Sequence, residues 1–355
     1  MKTLVIERQA VKQNLAVIRE KAGSAAIYGV LTGDAYGVGL VEMATLLRDE
    51  GVHRFAVAEC ADAEALRKAG FVEEEILMLR ATADRAELEK LTDLNVVCTV
   101  SSVETGMVLN SLAESRSTVV EAQLQVDTGM GYGGFFSGEP DKVLSVCKNL
   151  PNVAITGVYT QIHSNKADGK DAQAALEGFR RLLAVLHAGG VETGTVHAAG
   201  SFALLHYDFA RLDAVRAGSA LLGRCRRVKK DGLQRVGYGE ASLEEVRWLP
   251  KGHTVGGAGA ITLRRPTRVA VLPVGYLNGF GTSRARDAGL FTAIRRWWRS
   301  RAITVRIDGQ KARVIGRIGA LETLVDVTDL KCAAGDKAYF DIDPMYARGL
   351  MREYR

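Results

Sequence analysis

The side chains best placed for chemistry follow directly after an apolar run near the start of the chain. That run, residues 25–31, ends at Thr32, and a short loop with Asp34 and Tyr36 separates it from a helical pattern that resumes at Leu40. The order strand, sharp loop, helix puts the loop at the carboxyl end of the strand. Barrel enzymes hold their catalytic and ligand-binding side chains at that end, so the loop is the first candidate for a functional site.

The same stretch, residues 28–39, resembles the signature at the first barrel strand of the alanine racemase family, which are pyridoxal-phosphate (PLP) enzymes. The family pattern reads A-V-V-K-A-N-A-Y-G-H-G, and Tyr36, Gly37 and Gly39 match it. Thr32 stands where the family has the lysine that forms a Schiff base with the cofactor. Because a threonine hydroxyl cannot form an imine with an aldehyde, the motif indicates the family and argues against its activity.

Two more motifs match the family at positions that, by the resemblance, hold the cofactor. Residues 197–201 resemble H-x-x-N-S, whose serine binds a phosphate oxygen, although Gly200 replaces the asparagine. Residues 215–223 resemble V-R-P-G-x-x-L-Y-G, whose arginine faces the pyridine nitrogen and is oriented by the histidine. The cofactor-binding residues implied in this way are Tyr36, His197, Ser201, Arg216, Gly218 and Ser219. A structural interpretation also exists: Arg216 and His197 could form a buried network, and Ser201 could cap a helix.

The groups that the family uses for the reaction itself are replaced. The second catalytic base, a tyrosine, aligns with Gly257, and racemisation needs two bases on opposite faces of the substrate carbon. The arginine that binds the substrate carboxylate is Tyr132, and the lysine that supports it is Gln125. The histidine of a T-H-F motif is Gln161, and the methionine of G-R-I-x-M is Ala320. The residues expected to line the substrate pocket are therefore Tyr132, Gln125, Gln161, His163 and Tyr276.

These replacements spare the glycines, the apolar pattern and the phosphate-binding residues. They favour a retained protein that binds PLP or another small phosphorylated ligand non-covalently, without racemase activity, in other words a pseudoenzyme. One alternative is altered, lysine-independent chemistry in the same cleft. A further alternative is an active amino-acid racemase, for example if Lys166 replaced the missing lysine, but Lys166 lies in a polar loop. Tyr276 could line the pocket or an interface.

Apolar runs and helical patterns alternate over the first two thirds of the chain and must position these residues. Eight short strand-like runs lie between residues 26 and 216, with helical patterns between most of them. This alternation predicts a (β/α)8 barrel over residues 8–228. Beyond it, β-branched runs separated by turns predict a mostly-β domain over residues 229–355. The resemblance implies that residues 1–7 add a strand to that domain, and that the protein is a head-to-tail homodimer.

The composition argues against several other classes of function. The chain of 355 residues is 47% hydrophobic and contains no apolar run long enough to predict a membrane span. Its five cysteines are scattered, which argues against a metal site and a disulfide framework and favours the cytoplasm. The net charge of +6 is concentrated in residues 224–230 and 295–301, the second with two tryptophans. Nucleic-acid binding would use such patches, but no accompanying motif supports it, so a solvated loop and an amphipathic helix are expected.

Overall fold

The structure is a computed structural model that describes residues 1–162, 169–225, 231–256, 261–282 and 303–355. It divides into two compact units, one formed by Gln9–Arg235 and the other by Met1–Arg8 with Val236–Arg355. The predicted domain boundary between residues 228 and 229 falls outside the described residues and stays a prediction. The predicted loop and amphipathic helix of the two basic patches also lie largely or wholly outside them.

Helices and strands alternate through the first unit, and strands dominate the second. The strands are β1 (Lys2–Ile6), β2 (Ala26–Val30), β3 (Arg54–Val57), β4 (Glu75–Met78), β5 (Cys98–Val100), β6 (Val120–Asp127), β7 (Phe135–Phe136), β8 (Val153–Thr160), β9 (Thr195–Ala199), β10 (Ala214–Ala217), β11 (Tyr238–Ser242), β12 (Glu245–Leu249), β13 (Thr254–Val255), β14 (Ile261–Thr262), β15 (Thr267–Leu272), β16 (Thr304–Ile307), β17 (Gln310–Ile315), β18 (Thr323–Asp326), β19 (Lys337–Phe340) and β20 (Met351–Tyr354). The helices are α1 (Arg8–Ala22), α2 (Thr32–Gly37), α3 (Leu40–Asp49), α4 (Cys60–Lys68), α5 (Arg85–Asp93), α6 (Val103–Ser115), α7 (Pro140–Lys148), α8 (Lys170–Ala188) and α9 (Ser201–His206).

The first unit is the predicted barrel. Its eight parallel strands follow the order β4-β3-β2-β10-β9-β8-β6-β5, with the short β7 paired to β6. The seam between β5 and β4 closes through one isolated bridge between Leu77 and Val97, where Met78 N–H donates to the Val97 carbonyl at 2.9 Å. The strands are covered on both faces, which explains why their sequences are apolar without alternation.

The second unit is built on a nine-stranded, mostly antiparallel sheet in the order β12-β15-β18-β17-β16-β19-β11-β1-β20. Strand β1 pairs antiparallel with β11 and parallel with β20. Strand β17 ends at Ile315. Gly316 follows with φ of 73°, a left-handed conformation that interrupts the strand.

Two kinds of feature are absent from the described parts of both units. No helix there is long and apolar enough to cross a membrane. The same residues contain no group of three His, Cys, Asp or Glu side chains placed to hold a metal ion.

Candidate ligand site at the carboxyl ends of the barrel strands

Most of the predicted site residues lie at or after the carboxyl ends of neighbouring barrel strands. In sheet order, β2 leads to Thr32 and Tyr36, β10 to Gly218 and Ser219, and β9 to Gly200 and Ser201. Strand β8 leads to Gln161, and Gln125 lies near the end of β6. Since the carboxyl ends of parallel barrel strands share one face, the fold gathers these residues at the barrel mouth.

The loop after β2 has a conformation that the sequence did not predict. Residues 33–36 all have left-handed backbone angles, with φ between 51° and 63°, and α2 is therefore a left-handed turn. Ala35 N–H donates to the Leu31 carbonyl at 2.8 Å, and the Asp34 carboxylate accepts from Leu40 N–H at 2.8 Å. Three of the four residues are not glycine, and each left-handed residue costs about 1–3 kcal/mol. Strain of this kind is typical of ligand-binding loops.

The turn brings Tyr36 against the backbone at Gly218. A Cβ atom added to Gly218 would lie 2.3 Å from the Tyr36 hydroxyl oxygen, so only glycine allows this contact. Ser201 contacts the same backbone, because its Oγ accepts from Gly218 N–H at 3.1 Å and from Ala220 N–H at 3.2 Å. Residues of three neighbouring strands thus meet at one point of the mouth.

Ser201 does not cap its own helix, so the capping interpretation is wrong. Gly200 occupies the N-cap position of α9, and no side chain caps that helix. Because Ser201 Oγ already accepts two backbone hydrogen bonds, its own hydrogen must be donated elsewhere, and no described residue accepts it. Ser219 N–H likewise donates to none of the residues that the structure describes. These two donors suit an anionic ligand such as a phosphate.

Arg216 is buried at the end of β10 and is held on two of its three nitrogens. Nη1 donates to His197 Nδ1 at 2.6 Å, and Nη2 donates to the Thr160 carbonyl at 2.7 Å and to Gln161 Oε1. Burial lowers the pKa of Arg216 to about 10, so the guanidinium stays charged at neutral pH. In the described part of the chain, Nε–H has no acceptor and remains for a ligand.

His197 is fully buried beneath Arg216. Its ring lies between those of Tyr28 and Tyr159, with both centroid distances 5.1 Å. Burial and the positive charge of Arg216 hold the pKa of His197 well below its usual range, so the ring is neutral. Nδ1 must therefore be unprotonated to accept from Arg216, which leaves the ring hydrogen on Nε2.

Two positions that depart from the family pattern touch each other. A Cβ atom on Gly200 would lie 2.6 Å from Gln161 Nε2, while Oε1 of the same Gln161 accepts from Arg216. Gln161 thus fills the space that a side chain at position 200 would need. The loss of the asparagine at 200 and the presence of glutamine at 161 are sterically compatible with each other.

The remaining predicted residues are exposed or half-buried on other segments, or lie outside the described residues. The Tyr132 side chain is 83% exposed on the loop after β6, and Gln125 is half-buried beneath that loop, with Oε1 4.0 Å from a Cβ built on Gly133. Tyr276 belongs to the second unit and is 53% exposed. His163, Lys166 and Gly257 lie outside the described residues.

One buried polar residue beneath the mouth, Gln123, was not predicted from the sequence. Gln123 on β6 is buried and accepts from His197 Nε2–H, with 2.7 Å between Nε2 and Oε1. The available signal was a glutamine between Ala122 and Leu124 in a strand predicted to be buried, since an uncharged amide is rarely buried without partners.

Comparisons with known proteins agree with this geometry. The chain matches the family model "Alanine racemase, N-terminal domain" over residues 6–225 and "Alanine racemase, C-terminal domain" over residues 238–341. It is 30% identical to the alanine racemase of Carboxydothermus hydrogenoformans over 342 residues, 94% of this chain and 87% of that protein. An alanine racemase of Clostridium perfringens is 28% identical over 342 residues, 92% of this chain and 82% of that one.

Solved structures show the same fold. An alanine racemase structure from Clostridium difficile 630 has a TM-score of 0.86 at 24% identity, covering 100% of this chain and 95% of that one. The alanine racemase of Bartonella henselae with covalently bound pyridoxal phosphate has a TM-score of 0.83 at 22% identity, covering 100% and 99%. The first family model alone spans more than half of the sequence, and with it the second model and these relatives show that the chain belongs to the alanine racemase family.

Proposed function

We propose that this protein binds PLP, or another small phosphorylated ligand, non-covalently at the barrel mouth and does not racemise amino acids. The strongest support comes from two sets of hydrogen-bond donors at the mouth for which the described residues provide no acceptor. Ser201 and Ser219 provide donors on the Tyr36 side, and Arg216 provides Nε–H at the end of β10. PLP carries a phosphate and a ring nitrogen, which need donors of these two kinds.

Each residue then has a definite part in binding. The Ser201 hydroxyl and Ser219 N–H donate to the phosphate, and Tyr36 packs against Gly218 beside it. Arg216 can only donate, so a ring nitrogen held at its Nε would have to be an unprotonated acceptor. Bound PLP supplies an aldehyde and an electron-withdrawing ring, and a guanidinium in this place weakens that withdrawal.

The proposed absence of racemisation follows from the residues that would move the proton. Thr32 offers no amine, Gly257 offers no base, and Tyr132 carries no positive charge for a carboxylate. A single general base is worth roughly 10²–10⁴-fold in rate. With both bases replaced, the remaining groups can hold a ligand but cannot remove and return a substrate proton.

Two measurements on the purified protein test this proposal. We expect dialysis-reversible binding of PLP, seen by absorbance and by calorimetry, and no cofactor retained on the chain after borohydride treatment. We also expect conversion of L-alanine to D-alanine at no more than background rate with PLP added. Covalent retention of cofactor, or turnover near that of an active family enzyme assayed in parallel, would contradict the proposal.

We also propose that the protein is a homodimer. Two loops of the second unit are joined by hydrogen bonds from Tyr276 N–H to the Gly319 carbonyl and from Leu277 N–H to the Ala320 carbonyl. Tyr276, Leu277 and Leu321 are each more than half exposed on these loops. Exposed apolar groups of this kind favour association. Light scattering should give twice the monomer mass of 38.3 kDa, and a monodisperse monomer at micromolar concentration would contradict this.

A further inference from the structure

A continuous network of polar side chains crosses the interior of the barrel below Arg216. It runs from Glu75, the first residue of β4, through Tyr28 on β2 and Gln123 on β6 to His197 on β9 and Arg216 on β10. We call these five residues the barrel network. At its lower end Arg54 Nε lies 3.4 Å from Glu75 Oε2. The network therefore spans from the amino-terminal ends of the strands to the mouth.

Only one arrangement of hydrogen atoms satisfies every bond in the barrel network. Arg216 can only donate, so His197 accepts on Nδ1 and donates from Nε2 to Gln123 Oε1. The amide nitrogen of Gln123 then faces the Tyr28 hydroxyl at 3.1 Å and Glu75 Oε1 at 3.4 Å. Burial and the neighbouring carboxylate raise the pKa of Tyr28 far above its usual value, so its hydroxyl keeps its hydrogen and donates it to Glu75.

The backbone around Gln123 is shaped to hold it. Gly157 on β8 leaves the room, since a Cβ atom there would lie 2.6 Å from Gln123 Cδ. An amide in the middle of a network does not pass a proton along as a hydroxyl or an imidazole does, because its N–H groups are not released at neutral pH. The network therefore orients groups and does not conduct protons.

We infer that Gln123 is a positioning residue, which accepts from His197 inside the barrel and so keeps the ring in the one tautomer that can accept from Arg216 at the mouth. Tyr28 and Glu75 fix the orientation of the Gln123 amide. Without the acceptor at position 123, the Nε2 hydrogen is left buried and unsatisfied, and His197 and Arg216 lose their common alignment.

The tautomer can be read in the protein without any ligand. Histidine labelled with ¹⁵N gives separate signals for protonated and unprotonated ring nitrogens, and the signals of His197 are identified by their loss in His197→Gln. We expect the wild-type protein at pH 7 to show His197 neutral, with hydrogen on Nε2 in slow exchange with water. In Gln123→Met, that hydrogen should move upfield and exchange faster. A wild-type ring protonated on Nδ1, or an unchanged Nε2 signal in Gln123→Met, would overturn the inference.

The two tyrosines on either side of the His197 ring provide a matched control. Both rings stack on it at 5.1 Å, but the Tyr159 hydroxyl bonds to Thr99 and the Leu79 carbonyl, outside the barrel network. We expect Tyr28→Phe to shift or broaden the His197 Nε2 hydrogen signal and Tyr159→Phe to leave it in place. Equal effects of the two variants would overturn the inference, and this pair also serves if Gln123→Met does not fold.

Ligand affinity provides a second readout, which rests on the proposed function. Misalignment of a charged hydrogen bond corresponds to roughly ten- to hundredfold weaker binding. We expect the dissociation constant of PLP to rise by about that factor in Gln123→Met and to change little in Tyr159→Phe. Equal weakening in both variants would count against the inference. If even the wild-type protein binds no PLP, the proposed function fails, while the signals of His197 still decide the role of Gln123.

Discussion

On the proposed function, Thr32→Lys is expected to attach PLP covalently, where the wild-type protein would bind it reversibly. The new amine would follow β2 at the barrel mouth, on the same loop as Tyr36, which packs against Gly218. It would attack the cofactor aldehyde, a carbon–nitrogen double bond would form, and water would leave. Well-oriented groups in one complex react as if present at roughly 10⁵–10⁸ M, so no further change should be needed. A visible absorbance band and, after borohydride, the mass of the cofactor on the peptide with residue 32 would show the bond.

Thr32→Met is the matched control, because methionine has a similar length and no amine. It should show neither the band nor the added mass. Racemisation by Thr32→Lys should stay very slow, because Gly257 and Tyr132 supply neither the second base nor the carboxylate-binding group. Adding Gly257→Tyr and Tyr132→Arg should raise the rate by more than the product of the single effects, since such residues act as a unit. If saturating PLP gives Thr32→Lys no band, the mouth does not hold this cofactor.

Gly218→Ala is expected to damage both ligand binding and stability. The new methyl group would lie 2.3 Å from the hydroxyl oxygen and 2.7 Å from a ring carbon of Tyr36, so the tyrosine must move away from the mouth. Overpacking of this kind costs about 1–3 kcal/mol. We expect the free energy of unfolding to fall by about that amount and the dissociation constant of PLP to rise at least about tenfold.

Two comparisons separate the clash with Tyr36 from a general effect of the substitution. Gly138→Ala adds the same methyl group where no atom lies within 4 Å and where φ is not left-handed, and it should be neutral. In a Tyr36→Ala background, Gly218→Ala should cost far less than in the wild-type protein, with a coupling energy of about 0.5–3 kcal/mol. If the cost is the same in both backgrounds, Tyr36 does not pack where we place it.

The fold was largely predictable because the barrel strands appear in the sequence as short, local apolar runs. The apolar runs that predicted the barrel strands end within a few residues of the observed ones, since buried parallel strands must be apolar along their whole length. Strands β11 and β20 could not be recognised from such a pattern. The first contains glycine and glutamate, and the second is a largely exposed edge strand, so neither shows an apolar run in the sequence.

The candidate site was only partly predictable. Motif positions placed Ser201, Gly218 and Arg216 at neighbouring strand ends, where the structure also has them. The left-handed turn at 33–36 was not predictable, because L-residues other than glycine adopt that conformation only occasionally and as single residues, and here three of them adopt it in succession. The contact of Gln161 with Gly200 and the barrel network depend on long-range packing, which a local pattern does not contain.

The single bridge that closes β5 onto β4 has a consequence for how the barrel opens. This seam lies three strand pairings from β10 on one side and four on the other, so it is remote from the strands that carry Arg216 and Ser201. Local opening starts where the fewest backbone bonds must break. The amide protons of Met78 and Val97, which form the backbone hydrogen bonds of this seam, should therefore exchange with deuterated water ahead of those in β9 and β10. The barrel can thus open locally at the seam while the half that carries the candidate ligand site stays closed.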